Sequence, residues 1–136
     1  MTKQIWLNLP VKDIGRSKEF FTALDFSFKE NRSNATMLAM MVGDNNFPVM
    51  LFEESAFKKV VQNEITDTIL SSEILISVDA QSREEVDQFA QKVTAAGGDV
   101  FAKPAENQGW MYGCAFSDPD GHRWNVLYMD MEKMPK

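Results

Sequence analysis

Ile5-Trp6-Leu7-Asn8-Leu9-Pro10-Val11-Lys12-Asp13 is the stretch from which the fold is read. Its aliphatic residues Ile5, Leu7, Leu9 and Val11 occupy every second position, with Trp6, Asn8 and Pro10 between them. That period of two belongs to a strand, whose successive side chains leave opposite faces. Asp13 follows with a side chain suited to capping a helix, and Ile14, Phe20, Phe21 and Leu24 recur behind it at helical spacing. The helix is expected to end near Asp25. An aliphatic strand face followed directly by an apolar helix stripe predicts that the two pack together. Trp6 and Asn8 are then left to the other face.

Three β-prone stretches come next, 26–30, 36–42 and 48–53, separated by turn-rich 31–34 and 43–46. Residues 54–72 read as a polar connection, with a helical turn expected at 56–61. Ile74, Ile76 and Val78 restart the alternation, which puts Glu73, Leu75 and Ser77 on the face away from the next helix. That helix has capping-box spacing at Ser82 and Glu85, a buried stripe of Val86, Phe89, Ala90 and Val93, and a stop at Gly97-Gly98. Strands are expected at 99–103, 111–117 and 123–129, the last two joined by the tight turn Asp118-Pro119-Asp120-Gly121.

The order β, α, β, β, β thus occurs twice in 136 residues, about the length of one domain. The expectation is a single α+β domain over 1–136, with module one at 1–54, a linker at 55–72 and module two at 73–130. Such a repeat predicts pseudo-two-fold symmetry, the two modules forming a curved mixed sheet around a central cup.

Composition excludes several partners. The chain carries 14 basic and 20 acidic residues, a net charge of −6 that repels phosphate backbones, so nucleic acid is not expected. No apolar run approaches the roughly 20 residues needed to span a bilayer, and no leader pattern opens the sequence, so no membrane role and a cytoplasmic location are expected. Cys114, the one cysteine, reads as a packed thiol, and His122, the one histidine, as a packed or surface residue pointing away from the cup. No Ser-His-acid arrangement, phosphate-cradling glycine loop or CxxC is present.

The repeated order, the opening Trp6-Leu-Asn-Leu-Pro-Val-Lys-Asp13 and the segment Phe116-Ser-Asp-Pro-Asp-Gly-His122 before a final strand resemble the glyoxalase/bleomycin-resistance/extradiol-dioxygenase (vicinal oxygen chelate) superfamily. The resemblance covers nearly the whole chain. It implies metal-ligand positions on the first, fourth, fifth and eighth strands, which fall here on Trp6, Leu51, Glu73 and Asn125. Tryptophan and leucine cannot coordinate, and asparagine offers only a neutral carbonyl, so no metal centre is expected on these positions. A two-residue slip gives Asn8, Glu53, Glu73 and Asn125, an all-oxygen set suited to magnesium or manganese. The resemblance also implies a homodimer.

Between two glycines, Trp110, Met111 and Tyr112 form an unusually apolar segment, read either as a lid over the cup or as residues that pack at a dimer interface or complete the core. With Trp6 they supply aromatic surfaces, and Glu53 and Glu73 supply negative charge. The favoured reading is metal-independent binding of a small organic molecule, aromatic or cationic, with Trp6, Asn8, Leu51, Glu53, Trp110, Tyr112 and Asn125 lining the cup. The alternative is a metal-dependent lyase or isomerase of the glyoxalase I type. A third reading makes Glu73, desolvated beside Leu75 and Trp6, a metal-free general base.

Overall fold

A computed structural model describes residues 1–136, which divide into two compact units, Met1–Asp67 and Thr68–Lys136. Each unit holds one four-stranded mixed sheet with the β, α, β, β, β order expected of it.

The first unit runs β1 (Leu7–Val11), α1 (Ile14–Ala23), β2 (Ser27–Phe28), a 3-10 turn at Glu30–Arg32, β3 (Met37–Val42), β4 (Phe47–Glu53) and α2 (Glu54–Val61). Asp13 caps α1 by accepting from the Arg16 N–H, and the helix closes through the Leu24 N–H on Phe21 before Asp25 turns left-handed at φ 67°. The sheet order is β1-β4-β3-β2, with β1 parallel to β4. Only Ser27–Phe28 of the expected strand 26–30 is formed. The Ser33 hydroxyl takes the Ala39 N–H, so a side chain supplies the partner a longer strand would have offered. The helical turn expected at 56–61 is a full two-turn helix, α2, which packs on β1 and β4.

Register settles which residues share a face, because laterally paired strand residues point the same way. Leu9 pairs with Leu51 and Leu51 with Leu38, and all three are buried. Val49 and Met40 extend this face, and Phe20, Phe21 and Leu24 are buried with it. Asn8 pairs with Met50 on the opposite face, where it is exposed.

The second unit runs β5 (Leu75–Asp79), α3 (Arg83–Ala95), β6 (Asp99–Asn107), β7 (Met111–Ser117) and β8 (Arg123–Met129), in the sheet order β5-β8-β7-β6. The Ser82 hydroxyl accepts from the Glu85 N–H at the start of α3, and Gly97 leaves it at φ 92°. β6 continues four residues past the expected end at Lys103, through Pro104. A proline is tolerated there because β6 is an edge strand with one side free of ladder bonds. Val86 and Val93 of α3 are fully buried, as are Phe116 and Trp124, whose rings stack at 6.2 Å.

The turn Asp118-Pro119-Asp120-Gly121 is locked by one carboxylate. Asp118 Oδ1 accepts from the Asp120 and His122 N–H groups, and Oδ2 accepts from the Trp124 indole. Burial pushes the Asp118 carboxyl above its ordinary value, against His122 and these N–H donors. The Thr68 hydroxyl donates to the Asp120 carbonyl, and a Cβ on Gly121, itself at φ 82°, would fall 2.2 Å from Thr68 Oγ1. Residue 68, expected in a linker, is therefore fastened to the turn. Asp118→Ala leaves three donors without their acceptor and is expected to destabilise the chain by about 2–4 kcal/mol, read as a lower urea midpoint at unchanged slope.

Candidate functional site

The expected site residues are spread over both units. In the first, Trp6 precedes β1 and is half-exposed, and Asn8 is exposed on the face of β1 shared with Met50. Leu51 and Glu53 are not on that face. Leu51, fully buried, pairs with Leu9, and Glu53 pairs with Val11, so both belong to the face with the aliphatic residues. The expectation that Leu51 or Glu53 joins Trp6 and Asn8 is corrected by this register. Pairing Leu9 with Met50 or Phe52 instead would have exposed the leucines that form the core.

In the second unit, Glu73 sits at a bend ahead of β5 and is exposed, and Leu75 beside it is 56% exposed. The desolvation that a general base at Glu73 requires is not provided there. Tyr112 is corrected as a cup-lining residue and follows the alternative, packing, instead. It shares the α3 side of the sheet with Cys114 and Phe116, its hydroxyl donates to Asp87 of α3 at 2.6 Å, and the Arg83 guanidinium lies 4.9 Å above its ring. That bond raises the tyrosine pKa and ties β7 to α3. The lid reading of the Trp110 segment fails on length. Only Gln108, Gly109 and Trp110 separate β6 from β7, in a tight turn with positive φ at Gln108 and Gly109. The Trp110 carbonyl accepts from Asp130, and its indole N–H is buried without a partner.

Asn125 belongs to β8. It pairs with Ser77 and Ala115 on the face away from α3, and its Oδ1 is buried without a donor. Arg123 lies two residues earlier on the same face, pairing with Leu75 and Ser117. Its guanidinium stacks 4.1 Å from the centre of the Phe101 ring, while its Nε is buried without a partner. Sequence reasoning missed Arg123 and Phe101. The signal for Arg123 was present, because a residue two positions from Asn125 shares its face by parity. Phe101 was hidden by a register shift in β6 between Asp99 and Ala102.

These residues do not fit a divalent cation. Trp6 and Leu51 have no donor atom, Asn125 is neutral, and Asn8 and Glu53 leave opposite faces of their sheet. Within neither unit do three or more His, Cys, Asp or Glu side chains gather as a ligand set. A groove of about 770 Å³ runs between α3 and β6, bordered by Ala90, Thr94, Val100 and Lys103, but none of the expected site residues lines it.

Cys114 is packed, as expected, 4% exposed among Phe116 and Val126. Burial, with a smaller contribution from the Asp87 charge, pushes its thiol up to about 11. The folded chain thus holds this proton to higher pH than the unfolded chain does. The associated stability is complete below about 9 and is lost as pH rises through about 11. Cys114 is expected to resist Ellman's reagent at pH 8 in the native protein and to react fully once denaturant is added. Stability measured against pH should fall over this window and lose that slope in Cys114→Ala.

No helix is long and apolar enough to cross a membrane. The model of the Glyoxalase/Bleomycin resistance protein/Dioxygenase superfamily matches residues 3–126. No curated protein matches the sequence. Among solved structures, hypothetical protein SA1046 from S. aureus is 36% identical at a TM-score of 0.85, covering 93% of this chain and 94% of its own. A family enzyme from Burkholderia phytofirmans PsJN is 17% identical at a TM-score of 0.77, with 90% and 94% covered. The fosfomycin resistance protein FosX from Listeria monocytogenes is 17% identical at a TM-score of 0.69, with 100% and 95% covered. At those lower identities the likeness is one of fold.

Proposed function

We propose that this chain, which belongs to the Glyoxalase/Bleomycin resistance protein/Dioxygenase superfamily, binds a small organic molecule without a metal, on the face of its second sheet turned away from α3. One observation carries the reading: the pairing of Leu9 with Leu51 and of Val11 with Glu53. It puts Leu51, counted as the fourth strand's ligand position, in the core and turns the Glu53 carboxylate away from Asn8, whose partner on that strand is Met50. What remains on the second sheet is a neutral amide, a hydroxyl and one guanidinium beside apolar side chains, a set suited to holding an organic molecule. Of the two ligand characters expected, the cationic one loses support, because Glu53 is on the wrong face and Arg123 adds a positive charge beside Asn125.

FosX has been crystallised with Mn(II) and sulfate, but at 17% identity that describes FosX. A metal-dependent lyase or isomerase here would need a donor set that these strands do not carry. Calorimetric titration of metal-stripped protein with nickel, zinc and manganese should show no saturable binding. Uptake of one ion per chain, abolished by Glu73→Gln, would instead establish the metalloenzyme reading.

A further inference from the structure

We propose that the same face of β8 is a carboxylate-binding subsite, with Arg123 as its charged donor, Phe101 and Leu75 as apolar walls and Asn125 as a second polar contact. The inference rests on the metal-free reading and names its ligand class: a small, flat, apolar carboxylic acid that also carries a hydroxyl or N–H.

The Arg123 side chain forms neither ion pair nor hydrogen bond, although acidic residues outnumber basic ones 20 to 14. Its Nε is buried without an acceptor, a costly arrangement for an N–H donor, and the Phe101 ring lies against the group. With the Phe101 ring 4.1 Å from the guanidinium carbon, the N–H edge turned away from the ring is the available donor surface. A planar pair of oxygens matches that edge in two parallel bonds. Charge selects a monoanion, because a doubly charged phosphate would meet one cation here within a chain of net charge −6. Leu75, 56% exposed and paired with Arg123, adds apolar surface beside it.

Asn125 fixes the second contact. Its buried Oδ1 lacks a donor, and it lies one strand repeat from Arg123, about 7 Å along the same face. A ligand hydroxyl or N–H at that distance from the carboxylate completes both groups at once.

The probes are 4-hydroxybenzoate and its neutral counterpart 4-hydroxybenzamide, titrated into the full, metal-stripped chain by calorimetry or amide chemical shifts. The carboxylate is expected to bind saturably and the amide at least about tenfold more weakly. Arg123→Gln should bring the carboxylate to the amide's level, and Arg123→Lys should recover part of the loss. If Arg123→Gln does not fold, the wild-type preference between the two probes decides alone. Equal affinity for the two, carboxylate binding unchanged in Arg123→Gln, or binding of neither overturns the subsite and leaves metal-free binding standing. Carboxylate binding that appears only after manganese is added overturns both.

Discussion

A strand residue can point in only two directions, and lateral register decides which residues point together. In the first unit the buried set Leu9, Leu51 and Leu38 lies in one row across β1, β4 and β3, with Val49 and Met40 in the next row of that face. Burying a large aliphatic side chain is worth about 1.5–3 kcal/mol, so a one-residue slip that exposed this set would cost about as much as a domain's whole margin of stability. The face opposite is consequently fixed as well. Which chemistry that face can offer is settled by the core before any ligand is considered.

The second unit applies the same constraint to β8. Trp124 and Val126 point into the core, so Arg123 and Asn125 must point away from α3. The Asp118 carboxylate then fixes the strand at its start, holding the Trp124 indole and the amides of Asp120 and His122. An acid in a tight turn thereby positions a guanidinium and an amide with which it makes no contact. The Tyr112–Asp87 bond and the Arg83–Glu106 ion pair brace the other side, joining α3 to β7 and β6.

Much of the fold was legible because local signals agreed with each other. Alternation at Ile5 to Val11 and at Ile74 to Val78, caps at Asp13 and Ser82, and the turn at Asp118 each predicted an element that formed, with ends shifted by a residue or two. The site was less legible. Counting along β4 could not reveal whether Leu51 pairs with Leu9 or lies one residue out of step, and register is a property of two strands. Whether Tyr112 and Trp110 cover a cup or pack was open in the sequence, because the hydroxyl's partner, Asp87, is 25 residues away and the turn's length is set by where β6 ends. Arg123 carries no signal of the metal-binding kind, because a guanidinium coordinates no metal, and its contact with Phe101 depends on the irregular register of β6.

Thiol labelling of single cysteines reads the β1–β4 register directly, in a Cys114→Ala background. Asn8→Cys should react with a maleimide at nearly the rate of the unfolded chain, and Leu51→Cys should react at least about a hundredfold more slowly, through opening alone. Comparable fast labelling at both positions would place Leu51 on the open face and contradict the account.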